Sequence, residues 1–408
     1  MVAVARETTL RFGTRFRQPD YLNVLETISE KAQPSDIYLD MSRVEWAHAN
    51  AMVPLISTVD RLVQAGWRFR LEVPSSKFEE EYFEKAGWLA GFQDLPAPPI
   101  RPGRSYVPLQ RYRDVDELNR IFRILIRRLF EETEMAPGVF SALEWSIYEI
   151  ADNVLTHAGA HSGWIQLVTQ RESGLLELVV SDAGVGVRDS LLPAFPDIEN
   201  DVDAINLALT KGVTRGLEHG LGNGLAGVER VSEAGRGWLT LHTQEGATVV
   251  REGSRKDESR PSHPGTVVAL TIPTNCEIDV ESALWGPVTP SLENTYLEVD
   301  GVGNFNVEFR VASECPVVGT RATARAARVK VKNLLNAFPH DDLVLDFDGA
   351  GSMASSFADE LVGRLSEELG EDQFTSRIKF SGLHGMNEST IAAVVAQRRE
   401  ARRPGDRS

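Results

Sequence analysis

Glu149 and Asn153 stand one helical turn apart in the segment EIADNVLTHA. Residues at i and i+4 share a helix face, which sets a carboxylate beside an amide. Such a carboxylate can orient or deprotonate a water. The amide oxygen can complete an octahedral Mg2+ shell whose other ligands are phosphates and waters. A second group, Asp182-Ala183-Gly184-Val185-Gly186, directly follows LLELVVSD. Its alternate glycines let another group approach the backbone closely, and a strand-end carboxylate can accept a hydrogen bond from an exocyclic amine such as that of adenine. A third, Gly220-Leu221-Gly222-Asn223-Gly224, opens a helix-like run, where free N–H groups and the positive end of the helix dipole suit phosphates. Each group also has a plainer reading: solvated residues beside a core helix, an Asx-type turn, and a flexible glycine loop.

The elements that must position these groups are legible around them. Pro137 can start a helix, and Phe140, Leu143, Ile147, Ile150, Val154 and Leu155 recur at helical spacing. LLELVVSD reads as a strand, with Leu176, Leu178 and Val180 on one side, ending at Asp182. After the glycines, Leu225, Val228 and Val231 form the apolar stripe of another helix. No Lys-Ser or Lys-Thr follows the glycine run, which excludes a P-loop, and no strand within a βαβ unit precedes it, which excludes a dinucleotide fingerprint.

In this order and spacing, the groups resemble the GHKL ATPase superfamily (gyrase, Hsp90, histidine-kinase and MutL relatives) over roughly Val115 to Pro273. Glu149 and Asn153 match its N box, Asp182 to Gly186 its D-x-G-x-G box, and Gly220 to Leu225 its glycine-rich box. Gly265-Thr266 in HPGTVVALTIP matches the late Gly-Thr element. EIADNVLTHA is most similar to the N box of anti-sigma-factor serine kinases. The resemblance implies a central two-layer α/β sandwich of the Bergerat type that binds ATP and Mg2+. It implies that Asn153 holds Mg2+, Asp182 reads the adenine amine, and Gly184 and Gly186 shape the base pocket. Gly222 and Gly224 would contact phosphates, with Gly220 and Leu225 completing that box. Thr266 would bond Asp182 or a nearby water, and Glu149 would be the general base. Asn223 departs from the small or apolar residue common in the second box. The segment from Val187 to His219 reads as a long lid in which Lys211 or Arg215 reaches a γ-phosphate. His157 reads more readily as a capped helix-end histidine than as a phosphate contact. No dimerisation helix pair with a phosphorylatable histidine precedes the N box, which disfavours autokinase chemistry.

The chain's 408 residues are too many for one core and suggest two or three domains. A net charge of −16 argues against nucleic acid as a partner, and only the tail RREARRPGDRS is basic. Cys276 and Cys315 lack metal-ligand spacing and fit a reducing cytoplasm. With no signal-peptide pattern and no apolar run near ~20 residues, the expected location is cytoplasmic, without a membrane span.

Flanking segments carry a βαβ rhythm. From Asp36, strand Ile37 to Asp40, helix Ala51 to Gln64 (ended by Gly66) and strand Arg68 to Val73 resemble a STAS domain. Asp40, Ser42 and Val44 match the first half of its signature. His48, Ala49, Asn50 and Ala51 stand where the second half would supply a phosphoacceptor, which leaves a docking or packing role. Near the other end, DLVLDFDGAGSMASSFADELVGRLSEEL gives strand Leu343 to Phe347 and a helix from near Ser356, with SRIKFSGL as a later strand. It resembles a STAS-like domain of unknown function often fused to such ATPases. Ser355 and Ser356 fall where the antagonist phosphoacceptor lies; alternatively one of them N-caps the helix, with Asp359 completing a capping-box-like pair.

The expected fold is α/β throughout: a STAS-like domain at 1–94, a linker at 95–113 around the proline-rich LPAPPIRPGRS, the ATP-binding domain at 114–275, a STAS-like domain at 276–400 and a basic tail at 401–408. The charged centre of GATVVREGSRKDESRPSH reads as a hairpin tip or mobile loop. The function expected is partner-switching regulation by a serine kinase, with Ser355 or Ser356 in cis or a STAS partner in trans as acceptor. The alternatives are an ATPase that drives a conformational cycle and a silent nucleotide sensor. A sigma-factor-like regulator is an expected partner class, and a homodimer is compatible with the resemblance.

Overall fold

The computed structural model describes residues 7–99, 106–170, 172–213, 223–286, 288, 297–299, 305–315 and 317–402. The chain divides into two compact units. One comprises Met1–Ile126, Leu143–Thr274 and Glu281–Gly286; the other comprises Arg127–Ala142, Asn275–Val280 and Pro287–Ser408.

The first unit begins with three parallel strands, Thr8–Arg11, Asp36–Asp40 and Arg68–Glu72, adjacent in sequence order. Helices Gln18–Ser29 and Ala49–Gln64 connect them. Right-handed crossovers between sequential parallel strands put both helices on one face of the sheet. The opposite face carries paired charges, including Arg68 with Asp36 at 2.6 Å. The second helix is buried almost continuously from Ala49 to Val59, and a helix apolar all round must be covered on more than one side. A second sheet supplies that cover.

This second sheet has five antiparallel strands in the order Tyr106–Tyr112, Gly163–Gln170, Leu175–Asp182, Ser254–Pro273, Trp238–Arg251. Trp164, Val179, Val267 and Ala269 from it share one core with Tyr21, Val24, Met52 and Ile56 of the two helices. Each buried Val contributes about 1.5–3 kcal/mol to holding the layers together. Polar ties join the same layers. The Trp88 indole donates to Gln166 Oε1 at 2.8 Å, and Ser162 Oγ donates to Asp60 at 2.8 Å. The segments read as separate domains at 1–94 and 114–275 therefore share one core in this unit.

The 95–113 linker is corrected at its end, because Tyr106–Tyr112 is a strand of the sheet. The prolines between Leu95 and Ser105 argued for a linker, but the strand that follows holds Pro108 at the sheet edge, where its register slips between Val107 and Gln110. Edges and bulges are where a strand tolerates proline. Of the two readings of the charged centre of GATVVREGSRKDESRPSH, the hairpin tip stands: Glu252 and Gly253 turn between antiparallel strands of 14 and 20 residues. Its charges are paired, with Arg255 held by Glu229 and Arg260 bonded to Glu258 at 2.7 Å.

The second unit holds a four-stranded sheet, Leu297–Val299, Phe305–Arg310, Leu343–Asp346, Ile378–Ser381; its first pair is antiparallel and the others parallel. Asn333, on the Arg321–Ala337 helix and 1% exposed, donates to the Phe130 and Thr133 carbonyls and accepts from the Met135 N–H. Ser355 and Ser356 open a helix as expected, but neither caps it. Ala354 is the N-cap without a side-chain bond, and the Asp359 carboxylate is taken by Arg398 at 2.8 Å. Ser355 is exposed and Ser356 half-buried.

Candidate functional site

The first unit contains a cavity of about 480 Å3. Helix Val139–His157 contributes Trp145, Glu149, Asp152 and Asn153 to its walls, and the strands contribute Val180, Asp182, Thr266 and Val268. Asn223, Gly224 and Leu225, at the start of helix Gly224–Ala234, complete the side that matters for anions. Of the sequence-derived candidates, Glu149, Asn153, Asp182, Gly186, Gly224, Leu225 and Thr266 all line this one space. Arg215, Gly220 and Gly222 lie outside the described residues.

Asp182 ends its strand 3% exposed. Its Oδ1 accepts from the Gly184 N–H at 2.8 Å, and the Thr266 N–H also donates to the carboxylate. Burial dominates these bonds and pushes its pKa up to about 7. The glycines around it are required by close approach. A Cβ on Gly184 would strike the Ala158 carbonyl, and one on Gly265, at φ +96°, would lie 2.5 Å from two Asp182 oxygens. Gly186, at φ +78°, leaves room for Thr243 Oγ1, which accepts from the Val187 N–H at 3.0 Å and donates to the Gly265 carbonyl at 2.9 Å. The Thr266 hydroxyl turns to Thr243, so it is the Thr266 backbone that reaches Asp182.

Glu149 is half-buried, and burial, then the neighbouring Asp152 charge, holds its carboxyl above the ordinary range. A Cβ on Gly224 would fall 2.7 Å from Glu149 Oε2 and 3.7 Å from Asn153 Nδ2. The Glu149 and Asn153 pair therefore abuts the start of helix Gly224–Ala234. Asn223 is the N-cap of that 11-residue helix yet makes no side-chain cap bond. Among the described residues no side-chain cap reaches its first N–H groups, and the helix start suits an anion.

Lys211 is exposed and sits over the Trp285 ring at 4.5 Å, a ring that Arg230 also approaches at 4.9 Å. The segment read as a lid includes, among its described residues, helices Gly186–Leu191 and Asp201–Ala208. His157 lines the cavity. Trp145, Asp152 and Leu284 were missed from sequence: Asp152 was hidden beside Asn153, and Leu284 comes from a distant segment. Among the described residues no group of three or more His, Cys, Asp or Glu can hold a metal ion. A cation beside Asn153 would take its other oxygens from phosphate and water, which fits a single amide donor. No helix among the described residues is long and apolar enough to cross a membrane.

Residues 138–275 match the family described as histidine kinase-, DNA gyrase B- and HSP90-like ATPase, and residues 328–388 match a STAS-like domain of unknown function. No curated protein matches the chain. The buried strand-end carboxylate, the Glu149 and Asn153 pair and the start of helix Gly224–Ala234 therefore lie in a GHKL-type ATPase domain, in a chain that also carries a STAS-like domain.

Proposed function

We propose that the protein is an ATP-binding regulator that transfers a γ-phosphoryl group to a serine of STAS type. One observation carries the reading: a buried carboxylate, Asp182, lines the same cavity as Glu149, Asn153 and the Gly224 helix start. The adenine amine would donate to Asp182, and the phosphates would lie against the N–H groups at Gly224 and Leu225. The Asn153 amide oxygen would hold Mg2+, which when bound neutralises phosphate charge. As the serine Oγ bonds to the γ-phosphorus, the bond to the β–γ bridging oxygen breaks and ADP leaves. The hydroxyl proton passes to Glu149, whose raised basicity suits it to receive one. Ser355 is the better placed acceptor of this chain's pair because it is exposed; a STAS-type partner in trans presents the same chemistry.

Incubation with γ-labelled ATP and mapping of the label tests this. Label on serine supports the reading, and its loss in the S355A/S356A double variant would assign the acceptor to this chain. Free phosphate as the sole product would instead assign ATP hydrolysis with Glu149 activating water. Neither product, with ATP still bound, would leave a nucleotide sensor.

A further inference from the structure

Behind its carboxylate, the Asp182 backbone carbonyl accepts a hydrogen bond from a side chain, His263 Nε2, at 2.9 Å. The need for a side chain follows from the strands. Pairing of Ser254–Pro273 with Trp238–Arg251 slips between His263 and Thr266, and its pairing with Leu175–Asp182 starts only at Val267 opposite Ser181. Pro264 has no N–H to offer, and Gly265 bends the chain away at φ +96°. The His263 ring supplies the donor that the bulge removes.

Chemistry fixes the direction of what lies beyond it. A carbonyl cannot donate, so Nε2 carries the proton. Burial, then the neighbouring His242, lowers the ring's pKa to about 3 and keeps it neutral. Nδ1 is therefore an acceptor. Of the two hydroxyls near Nδ1, Tyr21 at 2.5 Å is much closer than Thr58 at 3.4 Å, so Tyr21 donates to it and Thr58 Oγ1, 3.0 Å from the Tyr21 oxygen, donates in turn. Tyr21, Thr58 and His263 are 1%, 0% and 0% exposed. Tyr21 and Thr58 belong to the helices outside the ATPase family match, so a one-way chain runs from that layer to the strand end.

We infer that Tyr21 and His263 are positioning residues that hold the Asp182 strand end, so that selection of the nucleobase amine depends on the N-terminal layer. This inference rests on the nucleotide reading above. Its test compares ATP with inosine triphosphate, which presents a carbonyl where ATP presents the amine, by titration calorimetry on the full chain. The wild type should prefer ATP, and Y21F should narrow that preference about three- to tenfold, the worth of one hydrogen bond. H263L should narrow it similarly. H263Q, whose amide both donates and accepts, should restore most of it. A purely structural role would weaken both nucleotides alike and leave their ratio unchanged, and an unchanged ratio in Y21F and H263L overturns the inference. Should H263L fail to fold, Y21F and T58V, each lacking one hydroxyl or its equivalent, decide on the same ratio. A wild type that binds neither nucleotide removes the nucleotide reading itself, whereas ATP preference untouched by Y21F removes only this step.

Discussion

Replacing Asp182 by Asn separates two effects that the carboxylate combines. Burial sets its pKa at about 7 instead of 3.8, a difference of roughly 4 kcal/mol against ionisation. Because the folded-state pKa is raised, folding favours the protonated form. Its contribution is complete below about pH 4 and is lost as pH rises through 7. D182N has nothing to ionise. Ligand-free D182N should therefore exceed the wild type in stability at pH 8 by up to about 4 kcal/mol, a gain that fades toward pH 4. Binding should move the opposite way. The carboxylate already accepts from the Gly184 and Thr266 N–H groups, and an amide has one acceptor oxygen in place of two. Its NH2 must then face an N–H or the adenine amine, an unsatisfied arrangement that should weaken ATP binding about ten- to hundredfold. The wild type should itself lose about tenfold in ATP affinity between pH 8 and pH 6 as the carboxylate protonates. Hydrogen exchange of Leu175–Asp182 reads the local stability, and calorimetry at both pH values reads the binding. A D182N protein less stable than wild type at pH 8, or one that binds ATP equally well, would refute this reasoning.

Other outcomes follow from the same geometry. E149A should abolish turnover while ATP affinity stays within about threefold of wild type, measured by product formation beside calorimetry. N153A, which removes the amide oxygen, should weaken Mg-dependent binding more than Mg-free binding; the reverse order would contradict the assigned role. G224A should fold normally yet slow turnover, since its Cβ can be accommodated only by displacing Glu149 Oε2. A fragment beginning at residue 106 should aggregate on expression, because Trp164, Val179 and Val267 lose their cover. A monomeric, soluble fragment would sink the shared-core description.

Local patterns carried much of this architecture. The strand ending at Asp182, the helix bearing Glu149 and Asn153, and the βαβ rhythm near both ends follow from periodicity and turn residues close in sequence. What periodicity could not reveal was which faces meet. Nothing near Val179 or Met52 announces that they pack together, and Tyr21 and His263 are 242 residues apart. Tyr106–Tyr112 was obscured because Pro108 is a breaker except at an edge or bulge, and only the assembled sheet shows an edge. His263 was hidden in a charge-rich stretch that reads as solvated until its partners are known. The cap by Ser355 or Ser356 failed for a related reason: Asp359 had a competing partner, Arg398, 39 residues away.

Photolabelling with 2-azido-ATP, followed by peptide mapping, tests most directly where the base is seated. Labels that ATP competes away should fall on the cavity-lining peptides between Val180 and Leu191 or at Thr266 to Val268. A saturable label confined to any other part of the chain, or none that ATP displaces, would contradict the account.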